Sequence, residues 1–298
     1  MESVITTSSN VGIKYLWTES LFTGAIRKDM KIIRKVLCYD AGQNLYSIDP
    51  SAIPPNMLYS MELRARALVE VWPFIHDSLL EIGCGNKPYS LLINSLASKY
   101  VGVDLPNWIQ QDQSDICADG LKLPFKYESF DTLLTMDVLT KIPSPTHLFR
   151  EANRVLKHNG HLIIMVSNQR RFTNRPVFAN YTAVGLRMLA EQHGFNVQVL
   201  SSNGKGIPFL FDSLIQALYY AINRNGRQAK TENKPTNGLT MVESLFVRLQ
   251  KILLKITPRE SINTEEDLSE MNGTKKDSRF KMGYIMVVKK VFSLDEVS

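Results

Sequence analysis

The sequence predicts an α/β fold, a mostly parallel sheet covered by helices on both faces, and three observations predict it. Short apolar runs alternate with stretches of helical periodicity. One such run, Ser78 to Ile82, leads into a glycine loop. A second, Tyr100 to Val103, ends at a carboxylate, Asp104.

Taken in chain order, residues 1–55 form an N-terminal extension whose clearest element is a short basic, amphipathic helix over Asp29 to Leu37. From Met57 to Val71 apolar residues recur at helical spacing, and Pro73 ends the run. Ser78 to Ile82, Tyr100 to Val103, Phe130 to Met136 and His161 to Val166 read as buried strands, with a helix from Pro145 to Leu156 before the last of them. Thr182 to His193 is a helix closed by Gly194, the residue suited to a left-handed C-terminal cap. Asn196 to Leu200 and Gly283 to Val291 are further strands, and the interval between them is too long for a hairpin loop. Two helices fill it, Ile207 to Ile222 and Met241 to Ile256, with polar stretches at 223–238 and 258–279 read as mobile connections. The organisation is therefore an extension (1–55), a core (56–203), a helical insertion or lid (204–282), and a last core strand with its tail (283–298).

Composition narrows the class. Of 298 residues 44% are hydrophobic, enough for a real core, and the net charge of +6 is spread along the chain rather than gathered in a basic stripe. Nucleic acid is therefore not an expected partner. The cysteines, Cys38, Cys84 and Cys117, are too few and too scattered for a disulfide framework or a metal site, and no metal is expected. The polar start lacks a secretion signal, and no apolar run reaches the length needed to span a bilayer, so a cytoplasmic location is expected.

The chemistry centres on Glu81-Ile82-Gly83-Cys84-Gly85. Glycines one residue apart after a strand let the backbone approach a ligand in the crevice beyond the strand ends. Asp104 follows after about twenty residues, where a doubly wound sheet places an acid for ribose hydroxyls. A dinucleotide loop would need a third glycine where Pro88 stands, which argues against a nicotinamide cofactor.

These residues resemble the motifs of the class I S-adenosylmethionine-dependent methyltransferases of the type 11 kind. Leu80 to Gly85 resembles their first motif and Tyr100 to Asp104 their second. Asp119-Gly120-Leu121-Lys122-Leu123-Pro124-Phe125 is similar to a "D-x-x-x-L-P-F" segment, followed by Ser129-Phe130-Asp131. Glu151 to Leu162 is similar to "E-x-x-R-V-L-K-P-G-G", with His158 and Asn159 replacing its proline and first glycine. The resemblance implies a Rossmann-like, seven-stranded sheet with an antiparallel last strand, and S-adenosylmethionine (SAM) as cofactor. It implies that Gly83, Cys84 and Gly85 approach the cofactor and that Glu81 helps hold its methionine end. Asp104 with Leu105 would take the ribose, Asp119 with Gly120 the adenine, and Met136 with Asp137 would border the methionine moiety.

The acceptor side is less legible. Many relatives carry an acid and a histidine where this chain has Thr140 and Lys141, so no general base is assigned and the catalytic residues stay unknown. Ser167 to Phe172 lies near the methyl end. Asn180-Tyr181-Thr182 and the closing strand resemble methyltransferases found with bacterial surface-polysaccharide genes, although Thr182 also suits a helix N-cap. The implied acceptor is a small molecule, a glycan or a lipid-linked compound, methylated at oxygen; a catalytically silent SAM-binding partner subunit is the alternative. Helix 241–256 sets Met241, Val242, Leu245, Phe246, Leu249, Ile252, Leu253 and Ile256 on one side, with Arg248, Lys251 and Lys255 on the other. That pattern suits core packing or a subunit interface in a homo-oligomer, and it also suits peripheral contact with an anionic membrane.

Overall fold

The computed structural model describes residues 37–40, 45–48, 58–105, 114–168, 177–205, 207–223, 241–256 and 281–292. Strands β1 (Leu37–Asp40) and β2 (Leu45–Ile48) pair as a separate antiparallel ribbon. The helix expected at 29–37 lies outside the described residues except for Leu37, which opens a strand instead. The expected polar connections, from 224 onward and from 258 onward, also lie outside them.

The remaining seven strands form one sheet: β3 (Ser78–Ile82), β4 (Lys99–Asp104), β5 (Ile116–Cys117), β6 (Phe130–Met136), β7 (Leu156–Ser167), β8 (Phe195–Lys205) and β9 (Lys281–Lys290). Their spatial order is β5-β4-β3-β6-β7-β9-β8, or 3-2-1-4-5-7-6 counted within the sheet. β9 runs antiparallel to both neighbours, as expected of the last strand, and the others are mutually parallel. The chain leaves β3 toward β4 and β5, then returns to the other side of β3 as β6. This reversal opens a crevice beyond the C-terminal ends of β3 and β6.

Side chains alternate between two apolar layers. Leu79, Leu134, Ile163, Met165 and Val287 face helices α1 (Leu58–Glu70) and α2 (Ser90–Leu96). Leu80, Ile82, Leu133, Leu162, Ile164 and Val288 face α3 (Pro145–Val155) and α4 (Ala183–Glu191). Strands covered on both faces need apolar side chains at every position, and Leu162 to Val166 supplies such a run, each residue 2% exposed or less. β8 is longer than the sequence suggests because β9 pairs with it from Phe195 to Lys205, and β7 reaches back to Leu156, which pairs with Phe130 of β6. Helix α2 went unread because seven residues give too little periodicity.

Helices α5 (Ile207–Asn223) and α6 (Met241–Ile256) stand where the two insertion helices are expected. Tyr59 and Leu63 of α1 pack with Ile215, Phe246 and Leu253, so α1 is covered on its outer side and its side chains from Leu58 to Ala65 are all buried. Buried polar groups fix this contact. Gln250 Nε2 donates to Asp212 Oδ1 at 3.3 Å, Gln216 Nε2 to Asp212 Oδ2 at 2.6 Å, and the Tyr59 amide to Gln250 Oε1 at 3.2 Å. The single apolar side expected for α6 is thus two stripes. Phe246, Val247 and Leu253 are buried, whereas Met241, Leu245, Leu249, Ile252 and Ile256 are exposed. Side chains three and four apart form a ridge, and sixteen residues hold more than one such ridge.

Candidate active site

The crevice at the sheet's reversal contains a cavity of about 220 Å³. One wall is Ile82, Gly83, Gly85, Asp104 and Leu105; Asp119 and Gly120 close a second, and Met136, Val138 and Lys141 a third. The loop after β3 is stitched to the end of β4. The amides of Gly83 and Cys84 donate to the Val103 carbonyl at 2.8 and 3.1 Å, and the Gly85 amide donates to Asp104 Oδ2 at 2.7 Å. Asp104 Oδ1 accepts from the Leu105 amide at 2.8 Å, which fixes the carboxylate's orientation.

Gly83 (φ 76°) and Gly85 (φ 52°) are both left-handed, but their surroundings differ. A Cβ at Gly83 would collide with Val138, so that glycine is required by packing within the protein. A Cβ at Gly85 would meet nothing within 4 Å, so that position opens on free space beside the cavity. A Cβ at Gly120 would stand 2.5 Å from Ile82 Cγ2, so only glycine lets the Asp119 turn lie against the end of β3. Asp119 Oδ1 accepts from the Leu121 amide at 2.9 Å, and Asp119 lines the cavity as well.

Three predicted residues stand outside the lining: Glu81, Cys84 and Asp137. Glu81 shares its side of β3 with Leu79, so it points beneath the α1/α2 layer, where its carboxylate accepts from the Tyr100 hydroxyl. Burial pushes its pKa up to about 7, against the opposing pull of Tyr100 and Lys87. The Lys87 ammonium lies 4.9 Å from the centre of the Tyr100 ring and pairs with Asp115, whose Oδ2 also accepts from the Gly102 amide at 2.7 Å. Cys84 is buried; burial and the nearby Glu81 push its thiol up to about 12, so it is no nucleophile at neutral pH. Asp137 has φ 58° and is held from both sides. It forms an ion pair with Arg64 of α1, and its Oδ1 accepts from the Ser167 amide at 3.0 Å.

Arg64 belongs to no motif, and Tyr100 opens the second motif without an assigned role, so sequence reasoning missed the part that both play. Their signals were faint: an arginine inside an apolar helical run, and a tyrosine on the strand neighbouring Glu81. Arg64 is only 6% exposed. Burial works against its charge, but Asp137 and Tyr89 outweigh it and hold the guanidinium's pKa above its ordinary value.

The 3-10 turn Leu139–Lys141 carries Lys141 to the cavity and buries Thr140. Residues 177–181 clasp this turn. The Phe178 amide donates to the Thr140 carbonyl at 2.9 Å and the Tyr181 hydroxyl to the Leu139 carbonyl at 3.1 Å. Asn168 in turn bonds both backbone groups of Tyr181, at 2.7 and 3.1 Å. Thr182 caps α4, accepting from the Gly185 amide at 3.0 Å. Residues 169–172 of the expected acceptor segment lie outside the described residues.

The chain is similar to known proteins over part of its length. Residues 80–164 match the family model described as a methyltransferase domain. An uncharacterised protein of Methanocaldococcus jannaschii is 29% identical over 106 residues, which are 35% of this chain and 46% of that protein. A mouse protein described as "Probable tRNA methyltransferase 9B" is 28% identical over 152 residues, 45% of this chain and 34% of that protein. The chain thus spans less than half the length of either relative. A solved SAM-dependent methyltransferase of Archaeoglobus fulgidus superposes with a TM-score of 0.43 at 14% identity, over 78% of this chain and 99% of that one. Residues 80–164 thus carry a methyltransferase domain, and SAM is the cofactor that such a domain implies.

Proposed function

We propose that the whole chain is an active methyltransferase that binds SAM in the cavity beyond β3 and β6 and methylates a small-molecule, glycan or lipid-linked acceptor at oxygen. One observation carries this reading: the carboxylates of Asp104 and Asp119 line a single cavity together with the open side of Gly85. The donor set fits the cofactor. Each carboxylate oxygen of Asp104 has one backbone partner in the structure and keeps a lone pair for a ribose hydroxyl. Asp119 has an oxygen left for the adenine amine after bonding Leu121. Two acids would repel a phosphate, which disfavours a nucleotide ligand. In this reading Gly83, Leu105, Gly120 and Met136 shape the cavity, while Glu81, Cys84 and Asp137 act from behind it by holding the loop and the end of β6.

When bound, SAM supplies an electrophilic methyl group for in-line displacement, so positioning carries much of the catalysis. The clasped turn at Leu139–Lys141 sets the wall that would face the acceptor. Residues 180–182 suggest a surface-polysaccharide precursor as acceptor, and the basic outer edge of α6 favours one linked to lipid. We also propose the division into an extension (1–55), a core (56–203), an insertion (204–282) and a closing strand (283–298), acting in the cytoplasm.

A second reading, the catalytically silent partner subunit, is favoured by the same turn. Thr140 is buried, and Lys141 is the one titratable described side chain on that wall of the cavity. Calorimetric titration with SAM, beside turnover of labelled SAM on an acceptor panel, separates the two. The panel includes tRNA because of the mouse relative's description. Binding with turnover supports the enzyme, binding without turnover on any acceptor the silent subunit, and no binding sinks both.

A further inference from the structure

The two insertion helices are apolar on faces that nothing among the described residues covers. The inward side of α5 carries Asp212, Ile215 and Gln216; its outward side carries Leu210, Phe211, Leu214 and Leu218, 43% to 54% exposed. On α6 the outward stripe is Leu245, Leu249, Ile252 and Ile256, 39% to 57% exposed. Spacings of three and four residues make each set one ridge along its helix. Exposed apolar ridges on two packed helices mark an interaction surface.

Charge identifies the partner. Arg248, Lys251 and Lys255 follow their own three- and four-residue ridge on α6, beside the apolar one, and all three are exposed. The only acid among the described side chains of α5 and α6, Asp212, is fully buried and bonded to Gln216 and Gln250. A second copy of this face would bring the same three cations together with its apolar ridges. An anionic lipid surface offers both apolar depth and negative charge. No described helix is long and apolar enough to cross a bilayer, so contact would be in the plane of the interface.

We propose that the outward faces of α5 and α6 dock on a membrane carrying anionic headgroups. Leu210, Phe211, Leu214 and Leu218 enter the acyl boundary with the α6 ridge, and Arg248, Lys251 and Lys255 sit at headgroup level. The inward contacts through Tyr59, Asp212 and Gln250 keep both helices attached to α1 during docking. This gives a lipid-linked acceptor a place to be met, but it rests on the helices alone and not on the cofactor reading.

The test is co-sedimentation of the full chain with phosphatidylcholine vesicles, with and without phosphatidylglycerol. Binding should be roughly tenfold or more tighter with phosphatidylglycerol, and it should weaken with salt. Lys251→Glu with Lys255→Glu should remove the preference for phosphatidylglycerol. Leu214→Ser with Leu218→Ser, or Leu249→Ser with Ile252→Ser, should reduce binding to both vesicle types. Thermal melting of every variant should match the parent, since these side chains are exposed. No sedimentation, or sedimentation unchanged by the serine pairs, overturns the proposal. So does a lipid-free dimer that the Leu249→Ser, Ile252→Ser pair turns into monomer, which would assign the face to a second copy. Failure of the parent to bind SAM would touch the cofactor reading and leave this one standing.

Discussion

Asp104 is the residue on which the cavity wall depends, because one carboxylate anchors the Gly85 amide and offers its remaining lone pairs to the cavity. Asp104→Ala should weaken SAM binding on the order of tenfold to a hundredfold, read by calorimetry, since a hydrogen bond to a charged group contributes about 1.5–3 kcal/mol. Arg64 and Asp137 form the other critical pair. Arg64→Met leaves a shielded carboxylate without its cation and should cost on the order of 3 kcal/mol of stability in urea denaturation. Asparagine tolerates the left-handed backbone at 137, so adding Asp137→Asn should recover part of that loss. No recovery would mean that Arg64 acts mainly through its packing.

At the scale of elements, six of the sheet's strands were legible from sequence because they read as near-continuous apolar runs between loops of glycines and acids, whereas β5, only Ile116–Cys117, is too short to show such a run. The helices of the insertion were legible in extent but not in orientation. Periodicity alone could not tell which apolar ridge of α6 faces α1, because both have the same spacing. Gln250 decides it, through bonds to Tyr59 and Asp212 that no linear pattern announces. Gln250→Leu should therefore destabilise the chain by about 2 kcal/mol despite being more apolar, because it strands a buried amide and part of a buried carboxylate. SAM affinity should be unchanged in that variant, since none of these groups lines the cavity.

Across the whole molecule one buried and one half-buried group give stability opposite dependences on pH. Glu81 has its pKa raised by burial from 4.5 to about 7. The folded chain therefore holds this proton more tightly than the unfolded one, and the contribution declines as pH rises from about 4.5 to 7. At full ionisation the loss is roughly 3 kcal/mol. His161 lies at the opposite end of the sheet, its ring 5.2 Å from that of His76 and its Nδ1 buried without a partner. Burial, then His76 and Lys289, lower its pKa from 6.5 to about 4. Its contribution is full above pH 6.5 and is lost as pH falls toward 4. Denaturation at a series of pH values should show Glu81→Gln flattening the loss between pH 4.5 and 7, and His161→Phe flattening the loss on the acid side. A Glu81→Gln profile parallel to the parent's would mean that the carboxyl is solvated after all.

The sequence by itself determined the α/β class, the glycine loop, and the run of acids from Glu81 to Asp137, because these depend on local spacing along strands and turns. Only the tertiary structure decided which of them share a cavity. Side chains alternate across a strand, so Glu81 turns under the helices while Asp104 and Asp119, at strand and turn ends, reach the crevice. Arg64 enters from a helix far earlier in the chain to hold Asp137, a contact across 73 residues that only packing brings about.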